Sequence, residues 1–444
     1  MSRLRLSALV IVSALAALMI LPCASAQTTA APSAEVADRL AQMEKQISEL
    51  QAQIATLKQQ AATPATAPVA SAAVATDAKP ASGPLDGFNN VLGGATLTGY
   101  VDTYYNVNFD QPASHVSGLR AWDNYNSGFQ LNMVNLTLDK AVSAESRAGY
   151  RVSLGFGHQM DVINGSEPVG FVHNRPGWDQ YLMEAYFSYL APVGKGLQID
   201  VGKFVTPVGA EVIPTKDNWN YTRSILFDYA IPLYHYGVRA KYTFSPKVAL
   251  TGFVLNGWNN VIDNNSGKTG AVSLALTPTK KLTITQNYMF GPEQNSSYAG
   301  GLPTADKHWR QVVDTTVAYS LTNKLTAQAN FDYGRDSIEG AKDSVYWTGG
   351  AGYLRYVFNP KYALTGRYEY YLDHDGFTTG VPQHMHEVTG TFERRIAGHI
   401  VSRLEYRRDI SNQPIFYTHS FEGPTLKSQN TFTAGVVYTL DKTE

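Results

Sequence analysis

The sequence predicts an all-β fold, a transmembrane antiparallel β-barrel of about 16 strands, preceded by an N-terminal coiled-coil helix. Three observations predict it. Segments of roughly ten residues alternate apolar and polar side chains, the pattern of a strand with one face on hydrocarbon and the other on water. The connections between those segments alternate long and short. Beyond an N-terminal leader, no apolar stretch approaches the roughly 18 residues that a spanning helix needs, so a membrane crossing by this chain has to be a closed barrel.

Residues 1–26 read as a signal peptide. Arg3 and Arg5 precede an apolar run from Leu6 to Leu21, and Ala24-Ser25-Ala26 supplies the small-residue cleavage site. Cys23 is the sole cysteine and leaves with the leader; Pro22 before it argues against a lipoprotein. The exported chain then has no disulfide framework. Residues 27–60 form a periplasmic segment. Within it Val36, Leu40, Met43, Ile47, Leu50, Ile54 and Leu57 are spaced 4, 3, 4, 3, 4, 3, a heptad seam over 35–60 that predicts a coiled-coil helix about 39 Å long. Ile and Leu on that seam lean towards two chains. Residues 61–94 are an Ala/Pro-rich linker containing Pro64, Pro68, Pro80 and Pro84.

Residues 95–444 carry the barrel. Strands are predicted near 95–109, 129–141, 147–157, 181–190, 197–205, 234–244, 248–258, 269–277, 282–290, 309–320, 325–335, 345–358, 362–372, 385–395, 399–409 and 430–440, with 14 and 18 as the competing totals. The second and seventh lose phase, at Val134 and near Phe253, where a bulge or a misplaced boundary is expected. An outer-membrane barrel has short periplasmic turns and longer external loops. With the N-terminus in the periplasm, every long connection lands outside.

The longest connection runs from Val205 to Leu233, well beyond an ordinary hairpin loop. Pro207 and Pro214 end strand pairing, and Trp219, Tyr221, Ile225, Leu226 and Phe227 give it apolar mass to pack on a wall. A sixteen-stranded barrel is too wide for side chains alone to fill. This third external loop is therefore expected to fold into the lumen, its Glu211, Lys216, Asp217, Arg223 and Asp228 forming the pore constriction opposite His235, Arg239 and Lys241. The other reading lays it over the mouth or against a neighbouring subunit. The expected channel wall carries Arg147, Arg151, His235, Arg239, Lys241, Arg355, Arg367, Arg403 and Arg407. Such charges tune ion selectivity or pair across strands to stiffen a wet wall. Arg403 and Arg407 look paired with Glu405 between them; Arg147 and Arg151 look less so.

Lys plus Arg number 36 and Asp plus Glu 37, so the chain has no basic bias towards nucleic acid. His158, His173, His374, His384 and His386 are placed in external loops. Neither Asp373-His374-Asp375 nor His384-Met385-His386 is read as a metal site, and Asp263 to Gly267 reads as a turn because no bidentate Glu follows. No cofactor is expected. No Gly-x-Ser-x-Gly occurs, so catalysis is not expected either.

Several stretches resemble a known family. Thr98-Gly-Tyr-Val-Asp-Thr-Tyr-Tyr105, Val201-Gly-Lys-Phe-Val-Thr-Pro207, Lys216-Asp-Asn-Trp-Asn-Tyr221, Leu255-Asn-Gly-Trp-Asn-Asn260 and Leu404-Glu-Tyr-Arg407 are similar to the β-barrel porin family with OmpL-like members, over roughly residues 90–440. The resemblance implies a bacterial outer-membrane barrel with porin activity, passing small hydrophilic solutes or ions by passive diffusion, and embedded among outer-membrane lipid and lipopolysaccharide. Fold analogy adds a homotrimer. The alternatives are a structural tether whose helix grips peptidoglycan and, further off, a barrel hydrolase.

Overall fold

A computed structural model describes residues 94–168, 177–296, 301–338, 344–420 and 423–441. The expected leader, the expected coiled-coil helix over 35–60, nearly all of the expected linker and His173 lie outside the described residues.

Sixteen strands follow one another around a closed antiparallel barrel: β1 Thr96–Asn108, β2 Phe129–Lys140, β3 Ala148–Phe156, β4 Leu182–Ala191, β5 Leu197–Val205, β6 Tyr234–Ser245, β7 Val248–Leu255, β8 Thr269–Thr279, β9 Leu282–Pro292, β10 Trp309–Ser320, β11 Leu325–Asp336, β12 Val345–Asn359, β13 Tyr362–Asp373, β14 Gln383–Ile396, β15 Ile400–Ser411 and β16 Ser428–Thr439. β16 pairs with β1, Tyr100 opposite Thr439 and Asn108 opposite Thr431, which leaves the sheet without an edge. Among the described residues two α-helices lie in the connections, α1 His158–Gly165 and α2 Ile225–Tyr229. No helix among the described residues is long and apolar enough to cross a membrane.

The alternation read from the sequence fixes which side chains face where. Val254, Phe187, Leu354, Leu364 and Val388 point outward and are exposed. Asp200, Asp314, Glu369, Glu387, Arg367 and Arg407 point inward and are buried. This is a soluble protein turned inside out, the arrangement a hydrocarbon exterior selects. Outward rings gather at both rims. Tyr242 with Phe244 and Tyr356 with Phe358 mark the short-turn end. Phe156 with Tyr181 and Phe290 with Trp309 mark the long-loop end. These are the two aromatic girdles of a membrane barrel.

The phase loss in β2 is a bulge. Asp102 pairs with Met133 but Thr103 with Leu131, so Asn132 is the extra residue and its amide donates to Asp102 Oδ2 at 2.9 Å. β7 has no bulge at Phe253; it ends at Leu255, before the expected 258, and Phe253 simply faces inward. Two histidines are misplaced by the sequence reading. His384 and His386 belong to β14, not to a loop, and point away from the lumen against Tyr370. β14 starts earlier than predicted because Gln383 and Met385 continue its buried phase.

Candidate functional site

The connection 206–233 leaves the long-loop end between β5 and β6 and folds into the barrel. Thr206 N donates to Leu233 O at 3.0 Å and closes its base. A buried loop has no water to satisfy its backbone, so protein groups must do it. Here the wall supplies them in sequence. Asn287 of β9 donates to Pro207 O at 3.0 Å, Asp314 of β10 accepts from Gly209 N at 2.9 Å, and Asn330 of β11 accepts from Ala210 N at 3.0 Å. The outgoing limb therefore crosses three strands and reaches β13, where Glu211 meets Arg367 at 2.7 Å.

The far turn is pinned on β1 and β15. Thr215 Oγ1 donates to Asp102 Oδ2 at 2.6 Å, and Arg403 donates to Thr215 O and Asn218 O, each at 2.6 Å. On the return limb two wall carboxylates each take a pair of consecutive amides. Glu405 accepts from Tyr221 N at 2.6 Å and Thr222 N at 2.9 Å; Glu369 accepts from Ile225 N at 2.6 Å and Leu226 N at 3.1 Å. Adjacent backbone N–H groups form such an anion-binding nest. Arg367 donates to Thr222 O at 2.8 Å, and Arg407 to Arg223 O. Ser224 caps α2 by accepting from Phe227 N at 3.1 Å, and Trp347 Nε1 holds Ala230 O at 3.0 Å. The segment is thus a strap, tied to strands on the β9–β16 side and to β1.

Two wall glycines make room for it. A Cβ on Gly435 would lie 2.2 Å from the ring of Tyr221, and one on Gly349 2.7 Å from Leu226 Cδ2. Gly435→Val is expected to push Tyr221 off β16 and break its 2.8 Å hydrogen bond to Asp102, at a cost of about 1–3 kcal/mol. The temperature at which the folded band disappears on unboiled gels should fall; an unchanged temperature would refute the fit.

The predicted constriction residues do not share one environment. Glu211 and Arg223 are buried. Arg223 spends its guanidinium inside the strap, on the carbonyls of Val212, Tyr221 and Ile213, rather than facing β6. Glu211 faces Arg367 of β13, not Arg239 or Lys241. Lys216 and Asp217 pair at 2.9 Å and keep 24 % and 42 % of their side chains exposed. Asp228 lies in α2, where burial pushes its carboxyl up to about 8. Burial also raises Glu293, just beyond β9, to about 7 despite the Arg310 charge.

The predicted wall residues divide by side. Arg367, Arg403 and Arg407 lie under the strap and are buried. Arg403 pairs with Glu393 at 2.9 Å and Arg407 with Asp409 at 2.7 Å, not with Glu405, which is occupied by strap amides. Arg355 pairs with Glu393 at 2.7 Å. Across the lumen, Arg151 keeps a third of its side chain exposed and bridges Glu184 at 2.7 Å and Asp139 at 3.3 Å, so it is paired after all. Arg239 bridges Asp200 at 2.7 Å and lies over the rings of Phe204 and Tyr186; Lys241 follows it, half-buried. Arg147 precedes β3 and donates to Leu190 O. His235 is fully buried between Gly257 O and Thr206 Oγ1, so it serves the strap's base.

Other loops assist, which the sequence reading missed. Gln159 of α1 donates to Thr215 Oγ1 at 2.9 Å and Asp102 Oδ2 at 3.2 Å. Trp122 of the first long loop packs on Phe227. The inward phase of Asp102, Glu369 and Glu405 is visible as alternation, but nothing in the sequence marks Glu369 and Glu405 as acceptors of strap amides or Asp102 as the acceptor of Thr215 and Tyr221 hydroxyls.

Residues 94–440 match the family described as "Putative beta-barrel porin-2, OmpL-like". The chain belongs to that family. Among solved structures, this porin-family barrel is similar to an anion-selective porin from Comamonas acidovorans, at 8% identity, a TM-score of 0.52, and 78% of this chain against 99% of that one. It is also similar to OmpT of Vibrio cholerae (12%, 0.50, 78% and 97%) and to OprB of Pseudomonas putida (11%, 0.50, 83% and 99%). At such identities the likeness shows the fold alone. No curated protein sequence matches the chain.

Proposed function

We propose that the protein is an outer-membrane porin, a water-filled channel for passive diffusion of small hydrophilic solutes or ions, narrowed by the strap. One observation carries this reading: the strap is fastened along the β9–β16 side and β1, while partly exposed inward charges remain on β3–β6. Arg151, Arg239 and Lys241 then line the path, held from behind by the buried Glu184 and Asp200, with Lys216 and Asp217 on the strap facing it. A plug would need no such wetted charge on one side, because an unpaired buried charge is costly. The membrane is the bacterial outer membrane, with lipopolysaccharide around the long-loop rim. Assembly as a homotrimer belongs to the same reading; the V. cholerae OmpT relative has been solved in a trimer form. The predicted helix 35–60 would hang in the periplasm.

Single-channel recording in planar bilayers tests the proposal. Stepwise insertions with ohmic current are expected, and salts of unequal ion mobility will give the sign of selectivity through the reversal potential. An electrically silent barrel would refute the channel and leave the tether, with its helix on peptidoglycan.

A further inference from the structure

Every carboxylate within the sixteen strands stands in the inward phase, from Asp102 of β1 to Asp409 of β15. In the long-loop halves of the strands the outward phase carries lysine or arginine at Lys203, Arg335 and Arg408. Lys203 is buried, its ammonium on Asp179 and Leu182 O, each at 2.7 Å. Arg335 and Arg408 are exposed, and neither guanidinium has an ion pair or hydrogen bond among the described residues. The Asp110 carboxylate feels the Arg408 charge without pairing to it. Imidazoles and phenols surround Arg408. Val388 of β14 lies opposite it, and the next outward positions towards the mouth are His386 and His384, their rings edge to face at 6.1 Å. His386 Nδ1 and Tyr368 OH share a hydrogen bond of 2.9 Å, which draws the Tyr368 side chain towards the mouth. One outward step deeper, Gly366 of β13 and Gly390 of β14 face each other, and a Cβ on either would meet nothing within 4 Å. Leu364 and Phe392, both exposed, close this trough on the side of the membrane centre.

We propose that this outward patch seats one phosphate-bearing lipid of the outer leaflet, its phosphate on Arg408, His384 and His386 and an acyl chain in the trough over Gly366 and Gly390. The proposal rests on the outer-membrane reading and not on conduction. An unpaired cation on the lipid face of a barrel is costly, the more so the deeper it lies. An anionic headgroup removes that cost, and basic clusters at a membrane interface recognise such headgroups. Guanidinium suits phosphate because its N–H groups fork onto two oxygens. The two imidazoles stand beside it as further donors, with the Tyr370 ring 5.1 Å from that of His386. Glycine within a strand marks a place where another group approaches the backbone closely. Here two of them leave the outward face bare just below the cations, which is where the chain of a lipid held by its phosphate has to lie. A second copy of this chain fits less well, because its outward strand faces offer Arg408 no carboxylate.

Native mass spectrometry of the full chain in a neutral detergent tests it. Diphosphoryl lipid A is the probe; its dephosphorylated form, its deacylated sugar phosphate and inorganic phosphate are the comparisons. One lipid A per chain is expected. The dephosphorylated form should bind at least tenfold more weakly, and neither the sugar phosphate nor inorganic phosphate should displace the lipid at equal concentration. Arg408→Gln alters an exposed side chain and should weaken lipid A at least tenfold. Gly390→Leu, which fills the trough, should weaken it several-fold and keeps the test open if the first variant misfolds. Arg394→Gln removes an outward cation at the other rim, where the guanidinium lies 6.0 Å from the Tyr362 ring centre, and should change nothing. Equal binding of the dephosphorylated form, displacement by inorganic phosphate, equal loss with Arg394→Gln, or two unaffected patch variants would each overturn the proposal. So would a lipid-free dimer that Arg408→Gln dissolves, since the patch would then be a contact between copies. Binding is read here without current, so a barrel silent in bilayers would sink the channel and leave this site standing.

Discussion

Arg367→Met is expected to release the strap. The guanidinium is fully buried and joins Glu211 and Glu387, at 2.7 and 2.9 Å, to the carbonyls of Thr222 and Arg223. Removing it leaves two carboxylates buried without their cation and two strap carbonyls without their donor. Breaking a buried pair in this way costs about 3–5 kcal/mol. At 1.36 kcal/mol per factor of ten, the detached population rises by roughly a hundredfold or more. Lys216 and Arg223 are trypsin sites within the strap, so limited proteolysis of the folded barrel reads the release directly. The parent should resist cleavage there and the variant should be cut. Arg151→Met is the control: its pair is a third exposed and worth about 0–1 kcal/mol. If the Arg367 variant is as resistant as the parent, the wall charges do not fasten the strap.

Deleting residues 212–228 should at least double single-channel conductance. A sixteen-stranded barrel encloses a lumen that side chains alone do not fill, and this segment is the mass laid across it. The deletion exposes Arg367, Arg403, Glu369 and Glu405, but to water rather than to a dry interior, so the barrel is expected to survive. Strand pairing is independent of the strap from β16 around to β1. A deletion variant that folds normally and conducts like the parent would remove the strap from any role as the constriction. Asp217→Asn, by contrast, alters a partly exposed side chain paired only with Lys216. It should shift ion preference with little effect on folding, read as a change in reversal potential.

The contrast between Asp217 and Arg223 shows where sequence reading stops. Both are charged residues of one long loop, and in the sequence both look like pore-lining groups. In the folded chain Arg223 turns back on Val212, Ile213 and Tyr221 and meets no pore water. The same holds on the wall: Arg151 and Arg403 share the inward phase of their strands, but only Arg403 lies under the strap.

What the sequence by itself determined was the barrel. Period-two alternation assigns each side chain to hydrocarbon or lumen, and a one-residue slip would invert every assignment, so strand faces are strongly specified. Alternating connection lengths then yield sixteen strands and place the longest loop third. Even the β2 bulge was marked, as a loss of phase at Val134, two residues from the extra Asn132. The tertiary structure alone decided what the inward charges do. A carboxylate on a pore wall reads the same whether it faces water, a guanidinium or two backbone amides. Those amides belong to residues 143 to 184 positions away, Leu226 from Glu369 and Tyr221 from Glu405. No local pattern encodes such a pairing. It arises because a loop buried in a lumen must satisfy its backbone from whatever wall it lies on.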